Sequence, residues 1–260
     1  MPELLIYRNG IYQTPPQRIS AVARKFPSFA FYRRFLRIVL QASAAAKRGR
    51  YDSAAWAQSS RAVLRALEAV GVSVTVTGIE QVERLAGPCV FIGNHVSTLE
   101  TMVLPCIIQP VKEVTFIVKQ SLLDYPVFKH VMRSRNPIAV SRLNPRDDLK
   151  AVLEGGLQRL QAGRSLVVFP QTTRTTTFQP AEFNTMGIKL ARKAGVPVVP
   201  LALLTDAWRN GNHFKDFGKI DPAKHVYFAF GKPLRIQDRG SEEHAAIMAF
   251  IGEQLQAWRT

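Results

Sequence analysis

A chain of 260 residues that is 47% hydrophobic and 21% charged carries enough apolar material for one large folded domain, which excludes a disordered or low-complexity protein. Its 35 lysines and arginines against 19 acids leave a net charge of +16, a surface for a polyanionic partner: nucleic acid, an anionic bilayer or a phosphorylated ligand. Cys89 and Cys106 are the two cysteines, both inside apolar runs, and read as buried thiols in a reducing compartment rather than a disulfide or a metal pair.

The opening MPELLIYRNG lacks the basic start and long apolar run of a secretory signal. No apolar stretch reaches the roughly 18 residues of a spanning helix. Residues 1–25 read as an irregular, basic, proline-containing lead-in. A helical pattern then runs from Pro27 to about Arg48, with Phe29, Tyr32, Phe35, Leu36 and Val39 on one side and Arg33, Arg34 and Arg37 interrupting it. Gly49 breaks it, and a second helix from about Asp52 to Val70 ends at Gly71. Such a basic, aromatic hairpin suits a membrane interface, its rings among headgroups and its arginines on anionic lipid. It equally suits a helix pair packed on a core, and both hold if different faces serve them. The expected organisation is a membrane-interface helical hairpin over residues 1–71 and an α/β domain over 72–260.

From Ser73 to Gly78 the residues alternate like a half-buried strand, and Gln81 to Leu85 make a short helical turn. Pro88 to Glu100, PCVFIGNHVSTLE, reads as a buried strand, a turn at Asn94-His95 and a helix start with Ser97 and Glu100 at capping-box spacing. Val114 to Val118 is a β-branched run ending in Lys119. A short helix from Pro126 leads to the strand Pro137 to Val140, which ends in Ser141-Arg142. Asn144-Pro145 opens a helix through about Leu160 with Asp147 and Asp148 in its first turn, where the dipole favours them. The strand LVVFP breaks at Pro170 before the polar QTTRTTT. A helix from Glu182 to Ala194, a strand from Val196 to Leu204, a polar loop from Asp206 to Asp221 carrying His213, a strand from Val226 to Phe230 and a helix from Glu242 to Trp258 complete the chain. The loop is long enough to be a flap over a site. The fold class is α/β, a mostly parallel central sheet covered by helices on both faces, with the basic amphipathic helical hairpin at its N-terminus.

The chemistry gathers at strand ends. His95, Lys119, Arg142 and Arg174 each follow an apolar strand, and on one edge of a parallel sheet they share the place where ligands bind. A neutral histidine takes a proton from a hydroxyl when a carboxylate fixes its tautomer. On one continuous helix His95 and Glu100 would lie about 140° apart. With the helix starting between them, the loop folds the ring back over the first turn. The plain alternative leaves Glu100 as a cap and His95 as a turn residue. His213, His225 and His244 are not spaced as metal ligands and read as surface or loop histidines.

These blocks resemble the PlsC-like glycerolipid acyltransferases, which include the lysophosphatidate acyltransferases. NHVSTLE resembles the family's NH-x4-D block, IVKQSLL its lysine-bearing strand end, NPIAVSR its second block, FPQTTRT its FPEGTRS and VPVVPL its VPVVPV, in the family's order and over residues 72–235. The resemblance implies transfer of an acyl chain from acyl-CoA or acyl-carrier protein to the free hydroxyl of a lysophospholipid, with His95 as general base and Glu100 as its orienting acid. It places Asn94, Lys119, Arg142, Gln171, Thr172, Thr173 and Arg174 around the substrates, Arg174 and Arg142 on the acceptor's phosphate and Lys119 beside the developing oxyanion. It calls for no metal or resident cofactor and for an anionic membrane surface as partner, on the cytoplasmic face, peripheral or monotopic. The chain departs from the pattern at Glu100 for Asp, Gln171 for Glu and Thr172 for Gly. These departures keep open a lipid-binding protein that has lost catalysis, or an acceptor other than a glycerophosphate. A nucleic-acid binder rests on charge alone and lacks a recognition helix or RNP-like sequence.

Overall fold

The computed structural model describes residues 5–171, 173–212 and 215–260. Among these, eight strands form one sheet: β1 (Ile11–Gln13), β2 (Val74–Thr77), β3 (Val90–Gly93), β4 (Val114–Lys119), β5 (Ile138–Val140), β6 (Ser165–Val168), β7 (Val198–Leu204) and β8 (Val226–Phe230). Their order in space is β1-β2-β8-β7-β3-β6-β4-β5. β7, β3, β6, β4 and β5 all run parallel, so their C-terminal ends share one edge. β8 is antiparallel to β7 and parallel to β2, and β1 closes the far side antiparallel to β2.

Helices cover both faces: α1 (Ala21–Lys25), α2 (Pro27–Lys47), α3 (Ser53–Glu68), α4 (Ile79–Glu83), α5 (Thr98–Ile108), α6 (Phe128–Ser134), α7 (Pro145–Gln161), α8 (Met186–Ala194) and α9 (Ser241–Ala257). The continuous apolar runs of the central strands follow from this, because alternate residues enter different cores. Phe91, Val167, Val199 and Leu201 face the core shared with α2, α3 and α5. Val90, Ile92, Leu166, Val168 and Val198 face the one shared with α7, α8 and α9.

The N-terminal part departs from expectation in two ways. The lead-in is not irregular throughout, since it contains β1 and α1. A three-residue strand leaves too little alternation to see in sequence, and its anchor is tertiary: the buried Tyr12 hydroxyl donates to Glu68 on α3 at 2.6 Å. Secondly, the buried stripe of α2 is Phe31, Phe35, Val39 and Ala42, with Phe29, Leu36 and Leu40 turned outward at 66%, 51% and 57% exposure. Trp208, fully buried, decides this: its indole meets Phe31 and Phe35 edge-on at 4.9 and 5.1 Å. α2 and α3 share their core with Leu99, Val103 and Phe228, so packing runs unbroken across residue 71. Among the described residues no helix is long and apolar enough to cross a membrane. Both cysteines are buried and unpaired, and burial pushes each thiol up to about 12.

Candidate active site

At the C-terminal end of β3, Gly93 lies so close to β7 that a Cβ there would come within 2.8 Å of the Leu201 carbonyl oxygen. The chain leaves the sheet hugging its neighbour. Asn94 then takes the place of a ladder residue: its Nδ2 donates to Leu203 O at 2.8 Å and its Oδ1 accepts from Leu203 N–H at 2.9 Å. Both ends of this buried amide are committed to the backbone of β7.

His95 follows, 8% exposed, with its ring stacked on Phe169 at 4.4 Å between centroids and 6° between planes. Nδ1 lies 2.8 Å from Glu100 Oε1. Among the described residues nothing bonds Nε2. The backbone is pinned on both sides: His95 N–H donates to Gln171 Oε1 at 2.8 Å, and His95 O accepts from Thr175 N–H at 2.9 Å.

Glu100 is fully buried on the first turn of α5, and Ser97 and Glu100 close the capping box foreseen from their spacing. Oε1 accepts from Val96 N–H at 2.7 Å and Ser97 N–H at 2.8 Å in addition to the imidazole. Oε2 accepts from the hydroxyls of Ser97 and Thr205, the latter from the end of β7. Burial alone would raise this carboxyl, but the bonds from His95, Thr205 and the Ser97 N–H and the charge of the imidazole outweigh it, and the group ends below its ordinary 4.5. The carboxylate therefore stays ionised, and beside it a neutral His95 keeps its proton on Nδ1. The longer arm of Glu, in place of the family's Asp, is accommodated because α5 begins at Thr98 and the loop before it curls over the carboxylate.

Arg174 sits at the same place. Its Nη1 donates to Thr98 Oγ1 at 2.9 Å and to Asp216 Oδ1 at 2.7 Å. Gln171 uses its carbonyl end on His95, a role that a carboxylate would fill in the same way, while its buried Nε2 has no partner among the described residues. Thr173 is exposed beside them, and Thr172 and His213 lie outside the described residues.

The other two cations stand further along the edge. Lys119 ends β4, two strands from β3, about 10 Å away at ordinary strand spacing, and no hydrogen bond or ion pair joins it to His95, Glu100 or Arg174 among the described residues. Arg142 follows β5, one strand further out, with a left-handed φ of 62°. The buried Asp148 holds that turn by accepting from the backbone N–H groups of Ser141 and Arg142, both at 2.7 Å.

The described parts of the 206–221 segment, residues 206–212 and 215–221, reach the site and are tied to the rest of the chain. Arg209 N–H donates to Lys219 O, Phe217 packs on Tyr32, and Asn210 Nδ2 donates to Val96 O at 3.1 Å. Sequence reasoning missed Asp216, Thr98, Thr205, Phe169 and Asn210. Thr205 was open to discovery as the polar residue ending an apolar strand; Asp216, distant in sequence from its partner, carried no local signal. Among the described residues no three His, Cys, Asp or Glu side chains gather as a metal site.

Comparison with known proteins gives one coherent picture. A family model described as Acyltransferase matches residues 73–204. The chain is 32% identical over 188 residues to the 1-acyl-sn-glycerol-3-phosphate acyltransferase of Pseudomonas aeruginosa, covering 72% of this chain and 68% of that one. It is 34% identical over 137 residues to a probable enzyme of the same name from Mycoplasma pneumoniae, covering 52% of this chain and 50% of that one. In fold it matches the crystal structure of the 1-acyl-sn-glycerophosphate acyltransferase PlsC from Thermotoga maritima, with a TM-score of 0.70, 17% identity and coverage of 90% of this chain and 95% of that chain.

Proposed function

Because this chain belongs to the acyltransferase family and is an O-acyltransferase, we propose that it carries a fatty acyl group from acyl-CoA or acyl-carrier protein to the free hydroxyl of lysophosphatidate at a membrane surface. The observation that carries the reading is the 2.8 Å contact between His95 Nδ1 and the buried Glu100 carboxylate. His95 Nε2 takes the acceptor hydroxyl's proton as the oxygen attacks the thioester carbonyl. The tetrahedral intermediate collapses, the C–S bond breaks, and the leaving thiolate takes the proton back from the imidazolium. The products are an ester and a free thiol. Glu100 steadies the imidazolium in between, and Arg174 offers a guanidinium to the acceptor's phosphate. Arg142 and Lys119, along the same edge, extend the positive charge available to an anionic donor.

The relatives' names supply the acceptor, and the chemistry of the site agrees with a hydroxyl nucleophile beside an anion. The reading of a lipid binder without catalysis rested on Gln171 and Thr172, of which Thr172 lies outside the described residues. Gln171 keeps the bond to His95 N–H, so the substitution leaves the dyad assembled. Peripheral attachment to an anionic membrane surface is supported by α2, whose outward face sets Phe29, Leu36 and Leu40 among Arg33, Arg34 and Arg37.

The test is His95→Ala, assayed by thiol release from acyl-CoA with lysophosphatidate. Turnover is expected to fall by at least about 10³-fold while vesicle binding and melting temperature stay near wild type. Near-normal turnover would remove His95 from the role of base.

A further inference from the structure

The face of the sheet opposite α2 carries a basic groove. α7 and α8 meet there so closely that a Cβ on Gly156 would come within 2.6 Å of Leu190 Cδ1. Along α7 they leave a groove of about 250 Å³, with Leu149 and Leu153 half-buried in it and Arg146, Lys150, Glu154 and Lys193 exposed around them. Three cations stand against one acid. The α7 residues recur at spacings of three and four, a single helix face about 12 Å long. Arg146 lies in the first turn of α7, at the catalytic edge of the sheet, and Leu143, 89% exposed, stands on the loop that leads from β5 into that turn. β5 is three strands from β3, about 14 Å at ordinary strand spacing.

We propose that this groove docks an acidic helix of an acyl-carrier protein, so that a protein-borne thioester enters the site from the β5 side. The inference rests on the acyl-transfer reading above and chooses between its two donors. An apolar floor ringed by cations is the complement of an acidic amphipathic helix. The cations are spread along two turns of α7 and across to α8, and do not converge on a point as they would for one phosphate. A bilayer is disfavoured by position. The stripe of α2 packs in the core on one side of the sheet, and α7 and α8 pack in the core on the other. Attachment through the outward face of α2 therefore turns α7 and α8 toward water, where a soluble carrier approaches. A thioester on a flexible phosphopantetheine arm then crosses the gap from β5 to His95.

The experiment measures acyl transfer to lysophosphatidate from two donors, palmitoyl-acyl-carrier protein and palmitoyl-CoA. Arg146→Glu combined with Lys150→Glu is expected to raise KM for the carrier-borne donor by at least about tenfold and to flatten its dependence on salt, with the values for palmitoyl-CoA and the melting temperature unchanged. Lys193→Glu, on the other wall, is expected to act in the same direction. Lys232→Glu with Arg235→Glu makes an equal change of charge where the chain bridges the start of β7, at the opposite edge of the sheet, and is expected to move neither KM by more than about twofold. An unchanged KM for the carrier-borne donor in the groove variants overturns the proposal. An equal rise for both donors also overturns it, since the groove then serves a group that they share, and so does a loss of vesicle binding, which would make it a lipid contact. If wild type uses palmitoyl-CoA and refuses the carrier-borne donor, the docking proposal fails and the acyl-transfer reading stands. If it uses neither, that reading fails and this inference falls with it.

Discussion

Glu100→Gln separates the charge of the carboxylate from its shape. Oε1 takes three N–H donors, from His95, Val96 and Ser97, while Oε2 meets the hydroxyls of Ser97 and Thr205 and shares the Ser97 N–H at 3.0 Å. The Val96 N–H meets Oε1 alone and cannot rotate, whereas a hydroxyl can turn to accept. The amide should therefore keep its oxygen at the Oε1 position and point its NH2 at the hydroxyls, so that Nδ1 of His95 stays protonated. Only charge is lost. Charge-assisted bonds are roughly twice as strong as neutral ones, which removes about 2–3 kcal/mol from the developing imidazolium and lowers kcat by about 10²-fold. Had the amide flipped, the wrong tautomer would be held and the loss would approach about 10⁴-fold. The assay is kcat by thiol release together with imidazole nitrogen chemical shifts. A loss below about threefold would refute the orienting role of Glu100. A loss near 10⁴-fold at an unchanged melting temperature would refute the argument from rigid donors. Stability supplies a second check. The folded carboxyl lies below its ordinary 4.5, so the wild-type group stabilises the fold above that pH and ceases to as pH falls through the folded value. The variant, without that titration, should trail wild type at neutral pH and draw level on acidification.

Asn94→Ala orphans the N–H and C=O of Leu203, and at about 1–3 kcal/mol per buried unsatisfied group should cost about 2–6 kcal/mol, read by denaturant unfolding. A cost within about 0.5 kcal/mol would mean that the Asn94 amide does not act as a rung of the sheet. Leu36→Asp combined with Leu40→Asp removes two outward-facing apolar side chains from α2 and should weaken binding to anionic vesicles by at least about tenfold, with melting temperature preserved. Unchanged flotation with such vesicles would move the contact surface elsewhere. Added salt should weaken wild-type binding, because the neighbouring Arg33, Arg34 and Arg37 act through screened charge.

What was legible in the sequence was what local pattern encodes. The central strands, the Ser97–Glu100 box and the fall of His95 at a strand end followed from apolar runs, cap chemistry and spacing. What escaped depended on partners distant along the chain. Phe29 and Leu36, grouped with Phe35 and Val39 on one side of α2, face outward instead, because the packing of Phe31 and Phe35 on the distant Trp208 sets the buried stripe. Asn94 entered through the family resemblance, and its bonds to Leu203, far along the chain, carried no local signal. Lys119 and Arg142 were rightly placed at strand ends, but the spatial order β3-β6-β4-β5, which sets their separation from His95, is not a property of any one segment.

The bonds between the Asn94 amide and the β7 backbone have a consequence for timing. A loop tip would have to be arrested afresh whenever a lipid arrived, spending freedom in each cycle. Here the residue before the imidazole is stitched into the sheet as though it were strand, and the orientation of the ring is settled once, when the polypeptide folds.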